Sequence, residues 1–100
     1  MDEAHFKRRD EQFKAFCQDS LRIFQAKNRK YNDAIRRTGL LGACVEIVGA
    51  SARLEPLILQ NPNLDDLDVK AITNVLEDLH NYANIALIML SESNYRGEKG

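Results

Sequence analysis

The chain has little of what metal-binding, secreted or membrane proteins usually need. Its 100 residues include no tryptophan, two prolines, five glycines and two cysteines. Cys17 and Cys44 have no CxxC spacing, which argues against a zinc site or a disulfide framework, and we expect both to pack as small apolar side chains. The longest apolar run, Ile85 to Leu90, is too short to cross a bilayer. The N-terminus lacks the apolar segment of a secretion signal. These absences predict a soluble, cytoplasmic protein that makes no membrane contact.

The apolar residues that are present recur with helical spacing, and no segment alternates like a strand, so the sequence predicts an all-α protein of three long helices. The first helix is predicted from near Asp2 to about Lys27. Asp2 and Glu3 suit the positive end of a helix, whereas Lys27 suits the negative end. Its apolar stripe consists of Phe6, Phe13, Phe16, Cys17, Leu21 and Phe24.

The second helix is predicted over residues 39–59, with Thr38 as its N-cap. Pro56 is expected to kink this helix or to end it early, because proline has no backbone N–H. Small residues such as Ala43 and Ala50 would let another backbone approach closely. The predicted buried face consists of Leu40, Leu41, Cys44, Ile47, Val48, Ser51, Leu54 and Ile58.

The third helix is predicted to follow a loop at residues 60–63 and to run to about Glu92. Its second half is apolar nearly all round, so it needs cover on several sides. Three helices do not supply that cover, and we therefore expect a homo-oligomer, a dimer or a tetramer, in which helices two and three pair across subunits. One helical domain is predicted over residues 1–92, followed by a disordered polar tail at 93–100. The candidate caps are Asp65, Asp66 and Asp68, and the expected stripe is Val69, Ile72, Leu76, Leu79, Ala83, Ala86 and Leu90.

Charge is distributed unevenly along the chain. Residues 1–38 contain ten Lys or Arg against six Asp or Glu, a net of +4, whereas residues 39–100 contain four against nine, a net of −5. A basic half attracts phosphates. The alternative, which we weigh equally, is that the two halves neutralise each other within a subunit or between subunits.

The residues at the end of the first helix could contact a nucleotide in distinct ways. Lys27 and Lys30 offer compact cations for a phosphate, Tyr31 offers a ring that stacks on a base, and Asn28 offers an amide for a base edge or a sugar. From composition alone, an ordinary solvated helix end is the stronger interpretation, because basic helix C-termini are routine.

Acidic residues on the other two helices are candidate ligands for Mg²⁺. Asp78 and Asn81 share a helix face, as do Glu77 and Asn81, and Glu46 on the second helix would approach them if the two helices pack antiparallel. Converging oxygens between helices suit Mg²⁺. The alternative is the polar edge of a bundle, with Asn81 hydrogen-bonded internally.

Short motifs, in their order and spacing, resemble the phage and bacterial nucleotide-modification-associated domain, which is similar to the MazG-like all-α nucleotide pyrophosphohydrolases. The resemblance covers about residues 12–91. It implies a MazG-like helical bundle completed by oligomerisation, with a nucleotide held between helices beside Mg²⁺. The motifs are Lys27-Asn28 with Tyr31, Leu40-Leu41-Gly42, Arg53-Leu54, and Asp78-Leu79 with Asn81-Tyr82.

The chain departs from these patterns at acidic positions. Glu46 can fill one place in the first acidic cluster of the hydrolases and Asp78 matches an acid of the second, but Asn81 stands where an aspartate is typical. Losing carboxylates weakens metal binding and removes a candidate general base. The other departures are Gly49, Ala50 and Ser51 in the first cluster, and Lys30, Asn32 and Asn74 relative to the nearer family.

Three hypotheses follow. The first is a nucleotide-binding oligomer without efficient catalysis, which senses or sequesters a nucleotide or nucleotide-derived signal, for example in a phage that counters host defence from within the bacterial cytoplasm. Lys27, Asn28, Lys30 and Tyr31 would bind it, with Arg53 and Asn81 adding contacts. The second is a Mg²⁺-dependent nucleoside triphosphate pyrophosphohydrolase that uses Glu46, Glu77 and Asp78. The third is a helical adaptor that binds a protein or a nucleic acid through residues 22–37, although overall acidity disfavours nucleic acid.

Overall fold

The computed structural model describes residues 1–60, 63 and 66–92. It contains three α-helices, α1 (Glu3–Lys30), α2 (Ile35–Ile58) and α3 (Val69–Ser91), and the described residues include no strand. The all-α prediction is therefore confirmed. Within the described part of the chain, no helix is long and apolar enough to cross a membrane. The predicted tail at 93–100, the candidate cap Asp65 and the loop residues Asn61 and Pro62 lie outside the described residues.

The chain divides into two compact units, Met1–Asn32 and Asp33–Gly100. The sequence predicted one helical domain over residues 1–92. The first unit contains α1, and the second contains α2 and α3, which pack against each other.

Helix α1 begins next to Asp2, as the sequence predicted, and Asp2 is its N-cap. The Asp2 Oδ1 accepts a hydrogen bond from the His5 backbone N–H at 3.0 Å. The helix runs to Lys30, three residues beyond the predicted end, and Tyr31 caps it by donating its N–H to the carbonyls of Lys27 and Arg29. Asn32 and Asp33 follow with φ of 54° and 57°. These left-handed conformations are ones that asparagine and aspartate tolerate best among residues with a side chain.

The predicted N-cap of α2 is wrong. The helix begins at Ile35, and Thr38 lies within it, where its Oγ1 donates to the Ile35 carbonyl at 3.3 Å. The interruption is at Gly39, whose φ of 63° and ψ of −162° are not helical. Pro56 neither kinks nor shortens the helix, because it lies in the last turn, where few residues follow it. We conclude that glycine, not proline, bends α2.

Helix α3 begins as the sequence predicted, at one of the three candidate caps. Asp68 is the N-cap, and its Oδ1 accepts a hydrogen bond from the Ala71 N–H at 3.0 Å. The helix ends at Ser91, one residue before the predicted end. We expected α2 and α3 to pair across subunits, and the structure pairs them within one chain. Pairing between copies stays a prediction.

The core of the second unit consists of small residues on α2 against larger ones on α3. Ala43 and Ala50 lie seven residues apart on one side of α2 and are 2% and 0% exposed. They face a helix that supplies the bulk, Val75, Ile85 and Met89, all of them buried. Small side chains let the two backbones approach, so that the large side chains of α3 fill the space between them.

The predicted buried faces of α2 and α3 are therefore rotated from the real ones. Four residues of the predicted α2 face are exposed, namely Leu41, Cys44, Val48 and Ser51, and four of the predicted α3 stripe are exposed, namely Val69, Leu76, Ala83 and Leu90. The physical reason is that both helices are apolar on several sides, so periodicity does not single out one face. Cys44 is consequently an exposed thiol, not the packed side chain that we expected.

Candidate functional site on α2 and α3

An ion pair joins the two helices of the second unit. The Arg53 Nη2 on α2 lies 3.4 Å from the Asp78 Oδ2 on α3. The two side chains are 53% and 42% exposed, so water screens the pair and its contribution to stability is about 0–1 kcal/mol. Its importance is positional, because it holds a forked cation and a carboxylate at the surface where the two helices meet.

Tyr82 lies one helical turn after Asp78, on the same face of α3. The pKa of its phenol is raised above the ordinary value of 10.0, chiefly by burial and further by the negative charges of Glu46 and Asp78, while Arg53 opposes them. These effects favour the protonated phenol, which can donate a hydrogen bond. We call Glu46, Arg53, Asp78 and Tyr82 the interhelical cluster.

The interhelical cluster also gives the direction of the helix pair. Arg53 on α2 pairs with Asp78 on α3. Glu46 lies two turns before Arg53 on α2, and its charge raises the pKa of Tyr82, which lies one turn after Asp78 on α3. Moving back along α2 thus corresponds to moving forward along α3, so the helices are antiparallel. This is the arrangement under which the sequence analysis expected Glu46 to approach the α3 acids.

The three predicted metal ligands are not all in this cluster. Glu46 and Asp78 belong to it, whereas Glu77 is exposed and lies about 100° further round the helix from Asp78. Among the residues described by the structure, no group of three or more His, Cys, Asp or Glu is placed to hold a metal ion. Adjacent positions on a helix diverge, so the pair Glu77-Asp78 cannot offer both carboxylates to one point between α2 and α3.

Asn81 and Tyr82 show what sequence reasoning found and missed. Asn81, a predicted nucleotide contact, is half-buried on α3. Tyr82 is part of a motif that carries the resemblance, but the sequence did not predict it as a site residue. It stands four residues after Asp78 and therefore lies on the same face of the helix. That spacing was the available signal.

The other predicted nucleotide contacts belong to the first unit. Lys27, Lys30 and Tyr31 are exposed at the end of α1, and Asn28 is half-buried. The Lys30 Nζ lies 5.5 Å from the centroid of the Tyr31 ring, within the range of a cation–π contact. The contact keeps a cation and an aromatic face side by side, which are the two groups that a phosphate and a base require.

Comparison with protein-family models, with curated proteins and with solved structures gives no match for this chain. The resemblance to the nucleotide-modification-associated and MazG-like proteins therefore stays a prediction.

Proposed function

We propose that this protein binds a nucleotide or a nucleotide-derived molecule without turning it over efficiently. The observation that carries the proposal is the ion pair between Arg53 and Asp78. Asp78 matches an acid of the hydrolase pattern, and a guanidinium next to its carboxylate competes with a metal ion for the same oxygens. The Arg53 side chain is half exposed, so its guanidinium can share its remaining donors with a phosphate.

The neighbouring phenol supports binding of a polar ligand. The Tyr82 phenol is protonated at neutral pH, so its hydroxyl can donate a hydrogen bond and adds no negative charge to a cluster already containing Glu46 and Asp78. At the end of α1, Lys30 beside Tyr31 supplies a second place for phosphate and base. Both sets of residues combine cationic and aromatic groups, which is the chemistry of nucleotide recognition.

Calorimetric titration with mono-, di-, tri- and cyclic nucleotides tests this proposal. We expect heat with at least one ligand, and a dissociation constant that rises about tenfold in Arg53→Gln through loss of a charge-assisted hydrogen bond. Lys70→Gln is the matched control, since it removes one exposed cation from the same unit and should leave binding unchanged. Absence of heat with every nucleotide at high protein concentration would refute the proposal.

A second candidate function is a Mg²⁺-dependent nucleoside triphosphate pyrophosphohydrolase. It is favoured by one observation, that Glu46 and Asp78 both lie near enough to Tyr82 to raise its pKa, and two carboxylates are a minimal set for binding Mg²⁺. This function requires pyrophosphate release that stops with EDTA and in Asp78→Asn, while Glu55→Gln on the same helix as Glu46 remains active. Release that continues in EDTA would exclude metal-dependent catalysis.

The setting of the protein is part of the proposal. The resemblance to phage and bacterial proteins favours a role in the host cytoplasm, where sequestering a nucleotide signal would counter host defence, and it favours assembly into dimers or tetramers. Native mass spectrometry of the purified protein tests the assembly and the sequestering of a nucleotide, because it reports the assembly size and any retained nucleotide. A monomer with no adduct, even after nucleotide is added, would count against them.

A further inference from the structure

Helix α1 has an apolar side that it cannot bury within its own unit. Phe6, Phe13 and Phe16 are 50%, 74% and 69% exposed, and Leu21 is 52% exposed. At about 100° per residue, these four residues, which we call the phenylalanine face, lie within an arc of about 140° around the helix, with Phe6 and Phe13 near its middle and Phe16 and Leu21 at its two edges. Soluble proteins rarely expose large apolar residues in such a row unless the row is an interaction surface.

Helix α3 has a second such surface, on the side that points away from α2. Leu76, Leu87 and Leu90 are 49%, 61% and 45% exposed, and their spacing puts them on the side of α3 opposite to the buried Ile85 and Met89. We call these three residues the leucine face. Leu76 and Leu90 belong to the predicted stripe of the third helix, whereas Leu87 does not.

The two faces match in length and in charge. At about 1.5 Å per residue, Phe6 to Leu21 spans roughly 22 Å and Leu76 to Leu90 roughly 21 Å. Helix α1 has eight Lys or Arg against four Asp or Glu, a net of +4, whereas residues 68–92, which comprise α3 and its two caps, have one Lys against four acids, a net of −3. Opposite charges favour this pairing, and they disfavour the pairing of α1 with another α1.

We propose that the phenylalanine face of one copy binds the leucine face of a second copy, and that the contact is reciprocal. The three phenylalanines expose roughly 300–500 Å², so one contact counted on both sides hides on the order of 800 Å², which is the size of a casual crystal contact. Two contacts related by a two-fold axis hide on the order of 1,600 Å², the size of a stable interface. The area therefore favours a dimer in which the phenylalanine face of each copy packs against the leucine face of the other.

Sedimentation analysis across a concentration series tests the dimer. We expect a species of twice 11.4 kDa, whose dissociation constant rises about tenfold or more in Phe13→Ser and in Leu87→Ser, as for anchor residues of an interface. Val45→Ser is the matched control, since Val45 is 60% exposed but lies on α2, outside both faces. Circular dichroism confirms that each variant keeps its helices. Phe16→Ser provides a second α1 variant should Phe13→Ser unfold.

Cysteine crosslinking distinguishes contacts between copies from contacts within one. Cys17 lies on the same side of α1 as Phe13, and Ala83 is exposed on α3 between Leu76 and Leu87. In a protein carrying Cys44→Ser and Ala83→Cys, prepared as a mixture of ¹⁴N and ¹⁵N chains, oxidation should join Cys17 to the introduced thiol in disulfide-linked peptides that contain both isotopes. Asn84→Cys, turned away from the leucine face, should form the corresponding disulfide far more slowly.

Several results would overturn the proposal. One is a monomer at every accessible concentration, and another is a dimer that Val45→Ser disrupts while Phe13→Ser and Leu87→Ser leave it intact. Crosslinks that join only peptides of the same isotope, with no mixed pair, would show that α1 packs within its own chain. Monomeric protein that binds vesicles of anionic lipid through Phe13 would assign the phenylalanine face to a lipid surface.

Discussion

At the residue scale, two glycines of α2 have opposite surroundings although both lie inside the same helix. A Cβ built at Gly42 would come within 2.6 Å of the Thr38 Cβ, whereas at Gly49 the nearest atom is the Arg53 Nη1 at 3.9 Å. The first distance is a steric overlap and the second is an ordinary contact. Alanine is favoured over glycine in a helix by about 1 kcal/mol. The surroundings of each glycine therefore decide whether its replacement by alanine raises or lowers the free energy of unfolding.

We predict that Gly49→Ala stabilises the protein by about 0.5–1 kcal/mol and that Gly42→Ala destabilises it by roughly 1–3 kcal/mol through overpacking. Urea unfolding of both variants measures the difference. Thr38→Gly removes the clashing Cβ, so in that background Gly42→Ala should lose its penalty. Equal effects at the two positions would contradict the close approach of Thr38 to Gly42.

A second prediction at this scale concerns alkaline pH and Tyr82. Because its folded-state pKa is raised above the ordinary 10.0, the folded protein holds the phenolic proton more tightly than the unfolded chain does. The resulting stability is fully present below the unfolded-state pKa and is lost as pH rises through the folded-state pKa. Tyr82→Phe should unfold less steeply with pH above 10 than the parent protein, as followed by circular dichroism. Tyr31→Phe, at an exposed phenol, is the control.

At the scale of single helices, the caps explain where α1 and α3 begin. In both helices an aspartate side chain accepts a hydrogen bond from the backbone N–H three residues later, which satisfies a donor that the first helical turn leaves without a partner. Helix α2 has no side-chain cap of this kind at Ala34. Its start is therefore the one that propensity rules predicted wrongly.

We predict that Asp68→Ala destabilises the second unit by about 1 kcal/mol, whereas Asp68→Asn, which keeps the capping oxygen, loses only a few tenths. The comparison separates the hydrogen bond from the charge, which asparagine lacks. Thermal unfolding followed by far-ultraviolet circular dichroism measures both. Equal losses in the two variants would assign the stabilisation to the charge at the helix N-terminus and not to the cap.

At the scale of the whole molecule, stability depends on few buried side chains. The buried apolar residues of the described chain are Ala43, Ala50, Val75, Ile85 and Met89, all in the second unit. A core this small makes the free energy of unfolding sensitive to a single cavity. It also explains why surfaces such as the phenylalanine face would gain from a partner.

We predict that Met89→Ala, at a side chain that is 1% exposed, destabilises the protein by about 2–3 kcal/mol. Val48→Ala, at a side chain that is 68% exposed, should change stability by less than about 0.5 kcal/mol. Denaturant unfolding at one fixed protein concentration compares the two variants, since association would shift apparent stability. A small effect at Met89 would mean that α2 and α3 do not pack as described.

The sequence alone determined the helical class and the approximate bounds of the three helices, because these depend on local spacing. It offered three candidate caps for α3, of which the structure uses Asp68. It also indicated that Glu46 would approach the polar residues of α3 if the two helices packed antiparallel. Only the tertiary structure decided which faces of α2 and α3 are buried. An apolar residue such as Val48 or Ile85 is equally apolar on either side of a helix, and the partner helix alone selects between them. The same dependence on packing placed Arg53 of α2 beside Asp78 and Tyr82 of α3.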